Sequence, residues 1–341
     1  MKNRILYIGP NAGTSLQRQR AFIRMGFEIE SIDLRKLLPN YSLIDKIEWH
    51  VSPSLLATLI LGKVSQLLEK KSFLLCFVDN GSLVSEKIIS KLRLHCKYIV
   101  NFNHDDPFGG RDDTRFSAYR NALHLYDLVV VVRQENQDEA KRAGAKKILH
   151  TFRVADEVAH APKALTTEII NRWKSDIVFV GTWMEERDRF FVELINKGLP
   201  ISIFGARWER SPNWKFIRSH FREGHLEGDA YSYAIQCSKI ALCLLSKGNR
   251  DRHTTRSMEI PSLGTVLCAE RTDDHLALYK DGVEAVFWSD AEECVRQCNL
   301  LLSNDVRLKA VARAGHERFL QNGHTTENLI GKIFSELNLE I

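Results

Sequence analysis

No stretch of this 341-residue chain approaches the roughly 20 consecutive apolar residues that a membrane-spanning helix needs. The opening MKNRILYIGP has too short an apolar run for a secretory signal. The expectation is a cytoplasmic protein without an integral segment, with peripheral contact at the inner membrane face left open. A strong charge bias is missing as well: 48 Lys and Arg stand against 43 Asp and Glu, a formal +5 without long runs. No basic stripe interleaves with aromatics, so a nucleic-acid partner is not implied, whereas a small anionic ligand is compatible. The seven cysteines, at 76, 96, 237, 243, 268, 294 and 298, form no CxxC. Several lie in apolar runs, where Cys packs as a small hydrophobe, so neither a disulfide framework nor a metal site is expected. Cys294 and Cys298 read as two thiols one helical turn apart. Short-period repeats, low-complexity tracts and the dinucleotide fingerprint G-x-G-x-x-G are all absent.

What is present is alternation. In the first half, continuous apolar runs such as FLLCFV (73–78) and LVVVV (128–132) are separated by segments of helical spacing. Such runs indicate strands buried on both faces of a parallel sheet. From about 156 to 175 the pattern becomes polar and irregular, as an interdomain connection would. Alternation then restarts, from Ile177–Val180 to a final helix at about Thr325–Leu337. Two Rossmann-like domains are predicted, with functional residues just after the strands, where open α/β sheets bind ligands.

Candidate residues sit at several of those strand ends. In DRHTTRSMEIPSLGTVLCAE, Arg252, Arg256 and Glu259 are spaced i, i+4, i+7, which would put them on one helix face. A helix starting there could offer backbone N–H groups to an anion, Arg256 a bidentate fork for phosphate, and Glu259 an acceptor for vicinal hydroxyls. The alternative is an ordinary ion pair between Arg256 and Glu259. Pro261 is tolerated in the first turn, or if the carbonyl it frees, that of Ser257, faces ligand or water. In NHDDPF (103–108), His104 and Asp105 could act as a general base or bind an acceptor, or be hydrogen-bonded loop residues. Asp106 before Pro107 suits a helix N-cap, with acceptor binding as its other reading. In IGPNAGTS, Gly9 and Gly13 form a turn before a helix carrying Arg18, which could lend charge to phosphates or acceptor.

The segment RSMEIPSLGTVLCAERTDDHLALYKDGVEAVFWSDAEE resembles the donor-binding region of GT-B glycosyltransferases, most closely the CgeB-like (spore maturation protein) group within the group 1 family. That group's pattern, R-x-F-E-I-P-x-x-G followed by an apolar strand, an acidic turn and a Glu before Phe and Ser, is matched by Arg256, Glu259, Ile260, Pro261, Gly264, Glu284, Phe287 and Ser289. Met258 stands where Phe is usual. The resemblance extends through FVGTWMEERDRFF, IFGARW and AGHERFL, but in the first half rests on NHDDPF. It implies an α/β GT-B fold whose two parallel sheets face a central cleft. An acceptor domain would span 1–160, with a helix in 322–341 packing back on it, and a donor domain 161–321. Glu259 would hold the donor ribose and Arg256 the diphosphate. Gly181 and Arg187 would line the phosphate side, with Arg252 and Thr255 also in the donor site, and Gly205 and Trp208 would border the base. The implied partners are a nucleotide-sugar donor, with UDP the first choice of nucleotide, and a glycan, lipid-linked or protein acceptor. No cofactor and no metal are implied, and Asp273 and Asp274 read as an acidic turn. A hexosyl transfer is the favoured activity; a donor-binding protein without turnover and a nucleotide-sugar epimerase are the rivals.

Overall fold

Every strand pairing in the computed structural model, which describes residues 3–340, is parallel. Met1, Lys2 and Ile341, at the outer ends of the expected domains, lie outside the described residues. The first sheet comprises β1 (Arg4–Ile8), β2 (Glu28–Ile32), β3 (Phe73–Asp79), β4 (Cys96–Asn103), β5 (Leu128–Val131) and β6 (Ile148–His150), in the order β2-β1-β3-β4-β5-β6. The second comprises β7 (Ser175–Val180), β8 (Ile201–Phe204), β9 (Phe221–Glu223), β10 (Ser238–Cys243), β11 (Val266–Glu270) and β12 (Val286–Trp288), in the order β12-β11-β10-β7-β8-β9. The chain divides into two compact units: residues up to Phe152 with Gly248–Arg250 and the end from Thr326, and Arg153–Lys247 with Asp251–Thr325. The sequence set these exchanges at 160/161 and 321/322.

In the first unit the helix Gly13–Arg24 buries Ala21 and Phe22. The helix Ala57–Leu68 buries Ile60, Val64 and Leu68, yet leaves Leu59 and Leu67 exposed, so its apolar character exceeds what packing under the sheet uses. No helix among the described residues is long and apolar enough to cross a membrane. The helix Thr326–Glu336 completes this unit: Phe334 packs at 5.0 Å on Phe27, and Glu327 pairs with Arg24 at 2.6 Å. Burying one such phenylalanine is worth about 1.5–3 kcal/mol.

In the second unit the helix Arg256–Ser262 is shorter than the spacing suggested. Arg252 lies in the bend before it and so is not on its face, pairing at 3.5 Å with Asp273. The amides of Ser257, Met258 and Glu259 donate to the carbonyls of Thr254 and Thr255, so the helix start has no row of open N–H groups. Pro261 lies in the second turn, and the carbonyl it frees on Ser257 accepts the Tyr279 hydroxyl at 2.9 Å. Gly264, at φ +76°, then turns the chain into β11.

Elements without long apolar runs escaped the sequence. The edge strands β6 and β9 have three residues each, and Thr167–Trp173 is a helix, capped by the Thr166 hydroxyl, inside the stretch expected to be irregular. Asp273 and Asp274 open the helix Asp273–Leu278 rather than a turn. Conversely, no helix follows Pro107; Asp106 starts a turn, and helical structure resumes at Thr114.

Tyr279→Phe should cost about 1–2 kcal/mol by stranding the buried Ser257 carbonyl. Pro261→Ala, which restores an N–H at that position, should recover much of the loss. A double-mutant cycle by chemical denaturation measures this, and strict additivity would refute the pairing.

Candidate functional site

In each sheet the strand order reverses once, and the carboxyl ends flanking that reversal are where an α/β sheet holds ligand. In the second unit the reversal lies between β7 and β10. Strand β7 runs into Gly181, whose amide donates to Phe204 O (2.9 Å) and whose carbonyl accepts the Trp208 indole N–H (2.9 Å). Gly205, at φ +136°, packs so tightly that a Cβ would come 2.0 Å from Gly181 O. Both glycines therefore contribute space rather than hydrogen bonds to the site. Trp208 is fully enclosed by Phe179 and Phe191, which corrects its placement beside a base: it supports Gly181 from behind.

Two guanidiniums stand over the ring of Phe179, two residues before Gly181. Arg187, 3% exposed, donates from Nη1 to Thr182 O at 2.8 Å, and its Nε is buried without a partner. Arg256 is half-buried, its Nε likewise unpartnered, and it has neither a hydrogen bond nor an ion pair with any described residue. Both sit over the Phe179 ring, at 5.6 and 6.0 Å from its centroid. Burial, together with the charge of Arg256, holds Arg187 down to about 10. For Arg256 burial is outweighed by Tyr231, Cys243, Glu259 and Asp251, and its pKa is raised. Burial keeps Tyr231 and Cys243 protonated, so the anions among these are Glu259 and Asp251. Asp251 pairs with Arg153 at 3.0 Å. Glu259, 5% exposed, takes the Tyr231 hydroxyl on Oε2 and lies 3.4 Å from His160 Nε2 through Oε1. The ordinary ion pair between Arg256 and Glu259 is thus not formed. Thr255 precedes Arg256 without capping the helix through its side chain.

The helix start is secured beneath. The Ser257 hydroxyl accepts the Thr254 N–H (3.0 Å) and bonds His275 Nε2 (2.8 Å), while His275 Nδ1 donates to Glu270 O (2.6 Å). His275 is fully buried, and burial holds its pKa down to about 4. His253, 2% exposed, bridges the Arg153 amide and Asp274 (3.0 and 2.7 Å).

In the first unit the reversal lies between β1 and β3, and Gly9 and Asp79 stand there. A Cβ on Gly9 would meet Asp79 and Tyr7 at 2.9 Å, and Gly13, at φ +52°, serves the turn into its helix. Asp79 was not anticipated, although a carboxylate ending the run FLLCFV was the available signal. Its Oδ2 accepts from Tyr7 (2.5 Å) and from Arg18 Nε and Nη2 (3.1 and 2.7 Å). Burial opposes its charge, but Arg18, His104 and Tyr7 outweigh that and hold the carboxyl far below its usual range. Arg18 is thereby spent, which corrects its assignment to phosphates or acceptor. Oδ1 faces His104 Nδ1 at 3.6 Å, and the His104 side chain is 34% exposed. Asp105 accepts from Asn80 (2.7 Å) and lies 3.6 Å from Arg115. Asp106, 5% exposed, is held by Arg250 (2.6 and 2.8 Å) and Asn136 (3.0 Å), so it is a structural anchor.

Cys268 joins Cys294 and Cys298 in the second core, the three sulfurs lying within 4.8 Å of one another. All three are fully buried, and no fourth His, Cys or carboxylate ligand joins them among the described residues.

The fold is that of the GT-B glycosyltransferases. Sucrose-phosphate synthase from Thermosynechococcus elongatus is similar at TM-score 0.71 and 12% identity, over 98% of this chain and 99% of that one. Anabaena HepE in complex with UDP and glucose is similar at 0.67 and 12%, over 98% and 99%. A UDP-N-acetylglucosamine 2-epimerase shares the fold at 0.59 and 12%, over 99% and 97%. Residues 186–335 match the family described as glycosyl transferase-like. No curated protein matches the chain in sequence. The family match spans 150 of the 341 residues, less than half of the chain, and the likeness to the solved structures is one of fold.

Arg187→Met should raise the stability of the unliganded protein by on the order of 1 kcal/mol, because a buried charge disfavoured by burial and by Arg256 is removed. A lowered melting temperature would show that the charge is compensated after all. His275 is neutral when folded and titrates near 6.5 when unfolded. The unfolded chain therefore takes up a proton first as pH falls, and stability is lost from about pH 6.5 down to about 4. His275→Gln should flatten that part of the curve measured by denaturant titration; an unchanged slope would count against it.

Proposed function

We propose that the protein transfers a sugar, of hexose type, from a nucleoside diphosphate to an acceptor hydroxyl, with UDP-sugars the first class to try. The observation that carries this is the pair Arg187 and Arg256: two guanidiniums over one aromatic ring, without an acid among the described residues bridging them. A diphosphate supplies the missing charge, and each planar fork suits phosphate oxygens. Transfer breaks the bond between the sugar C1 and the diphosphate oxygen, which keeps the electron pair. The two fixed cations stabilise that leaving group, so the transfer is metal-independent. Glu259 faces the ribose, and the Gly205 loop borders the base.

The acceptor hydroxyl forms the new bond to C1 and must lose its proton. Of the two first-unit candidates, Asp105 is engaged by Asn80 and Arg115, whereas His104 is open to solvent at a third of its surface and backed by Asp79. His104 Nε2 is therefore the base we assign if the anomeric centre inverts. The match to R-x-F-E-I-P-x-x-G supports a CgeB-like member, and a glycan, lipid-linked or protein acceptor presented in the cytoplasm or at the inner membrane face fits that reading.

Melting curves with UDP, ADP, GDP and their sugars test the donor site, since a ligand of the folded state alone raises its stability by about 2.7 kcal/mol at 100 times its Kd. The expected result is a shift with one base, unchanged by EDTA and abolished in Arg187→Met and Arg256→Met. His104→Ala should keep the shift and lose at least about 100-fold in transfer. Absence of any shift would remove the donor reading. Binding without turnover would favour the donor-binding protein, and a product with an inverted sugar carbon the epimerase.

A further inference from the structure

Glu259 is flanked by two side chains, neither of which is a strong cation, one hydrogen-bonded to it and one facing it at 3.4 Å, and they arrive from separate parts of the second unit. Tyr231, on the helix Gly228–Gln236, donates to Oε2. His160 lies in the turn after the first exchange between units, its Nε2 3.4 Å from Oε1. The tautomer of His160 is fixed by its other nitrogen: the Asp156 N–H donates to Nδ1 at 3.0 Å, so the ring proton is on Nε2, facing Glu259. That turn is itself tied down. Asp156 Oδ1 accepts from the amides of Val158 and Ala159 (3.1 and 2.8 Å), Ser232 donates to Ala159 O (2.9 Å), and Ser262 donates to His160 O (2.8 Å). The two rings meet edge to face, 6.0 Å apart.

A carboxylate offers about four lone-pair sites on two oxygens. With the Tyr231 hydroxyl on Oε2 and the His160 ring facing Oε1, an open site remains on each oxygen, side by side, as a vicinal diol requires. The same contacts restrain Glu259 from turning to Arg256, one helical turn away, where an i, i+3 pair would otherwise form. Such a collapse would neutralise the cation that the diphosphate needs and consume the acceptor that the diol needs.

We propose that Tyr231 and His160 are positioning residues that make the donor site specific for a ribose over a 2′-deoxyribose, by fixing the Glu259 carboxylate toward the diol and away from Arg256. This rests on reading Arg187 and Arg256 as the diphosphate site. The test is calorimetric binding of UDP, ADP and GDP, each beside its 2′-deoxy counterpart. Wild-type protein should prefer the ribonucleotide about 10-fold, equivalent to 1.4 kcal/mol. Tyr231→Phe, which removes one hydroxyl and keeps the ring, should shrink that preference to about 3-fold or less, with the loss falling on the ribonucleotide. His160→Phe should do the same by removing the N–H that faces Oε1. Equal weakening of both nucleotides, with the ratio preserved, would mark the two residues as merely structural and overturn the proposal. So would a wild-type protein that binds both forms equally. Failure of wild-type protein to bind any of the six nucleotides would instead bring down the diphosphate reading, and this proposal with it.

Discussion

A guanidinium taken out of water has to meet negative charge, and the two units meet that demand in opposite ways. In the first, Arg18 finds Asp79 at the end of β3, and the pair is closed by Tyr7. In the second, Arg187 and Arg256 stand over Phe179 at the corresponding reversal of strand order, and no carboxylate among the described residues bridges them. Burying charge costs several kcal/mol unless it is paired. The first site is thus closed by an ion pair, whereas in the second neither guanidinium has an ion pair with a described residue.

The rest of the second unit serves that arrangement. Gly205 and Gly181 approach more closely than any side chain would allow, which brings the ends of β7 and β8 together beneath the arginines. Trp208 locks Gly181 from within the core. Pro261 interrupts the hydrogen bonding of the short helix bearing Arg256 and Glu259, and Tyr279, Ser257 and His275 take over what the interruption leaves open. Strain at the site is balanced by contacts a turn or more away, as expected where local rules are broken for a purpose.

The sheets were legible because parallel strands buried on both faces read as continuous apolar runs, and FLLCFV and LVVVV contribute the centre of the first sheet. The edge strands β6 and β9, half-buried or exposed and three residues long, carry no such signal. Arg256, Glu259 and Arg187 could be singled out from spacing and resemblance, because the second half carries a contiguous motif. Asp79, Tyr231 and His160 could not be grouped with their partners, because they meet them across 25, 28 and 99 residues of chain, as in Asp79 with His104, Tyr231 with Glu259 and His160 with Glu259. The sequence also could not show that Arg18 and Asp106 were already spoken for: pairing is a property of distance, and Arg250 reaches Asp106 from 144 residues away.

The first unit is discontinuous. Its six strands are complete by His150, but Phe334, which covers Phe27, lies on a helix that begins only at Thr326. During synthesis the ribosome delivers the sheet long before its last covering layer, so an apolar face around Phe27 stays wet while the entire second unit emerges. Final consolidation of the first half of the molecule must then wait for the completion of the second.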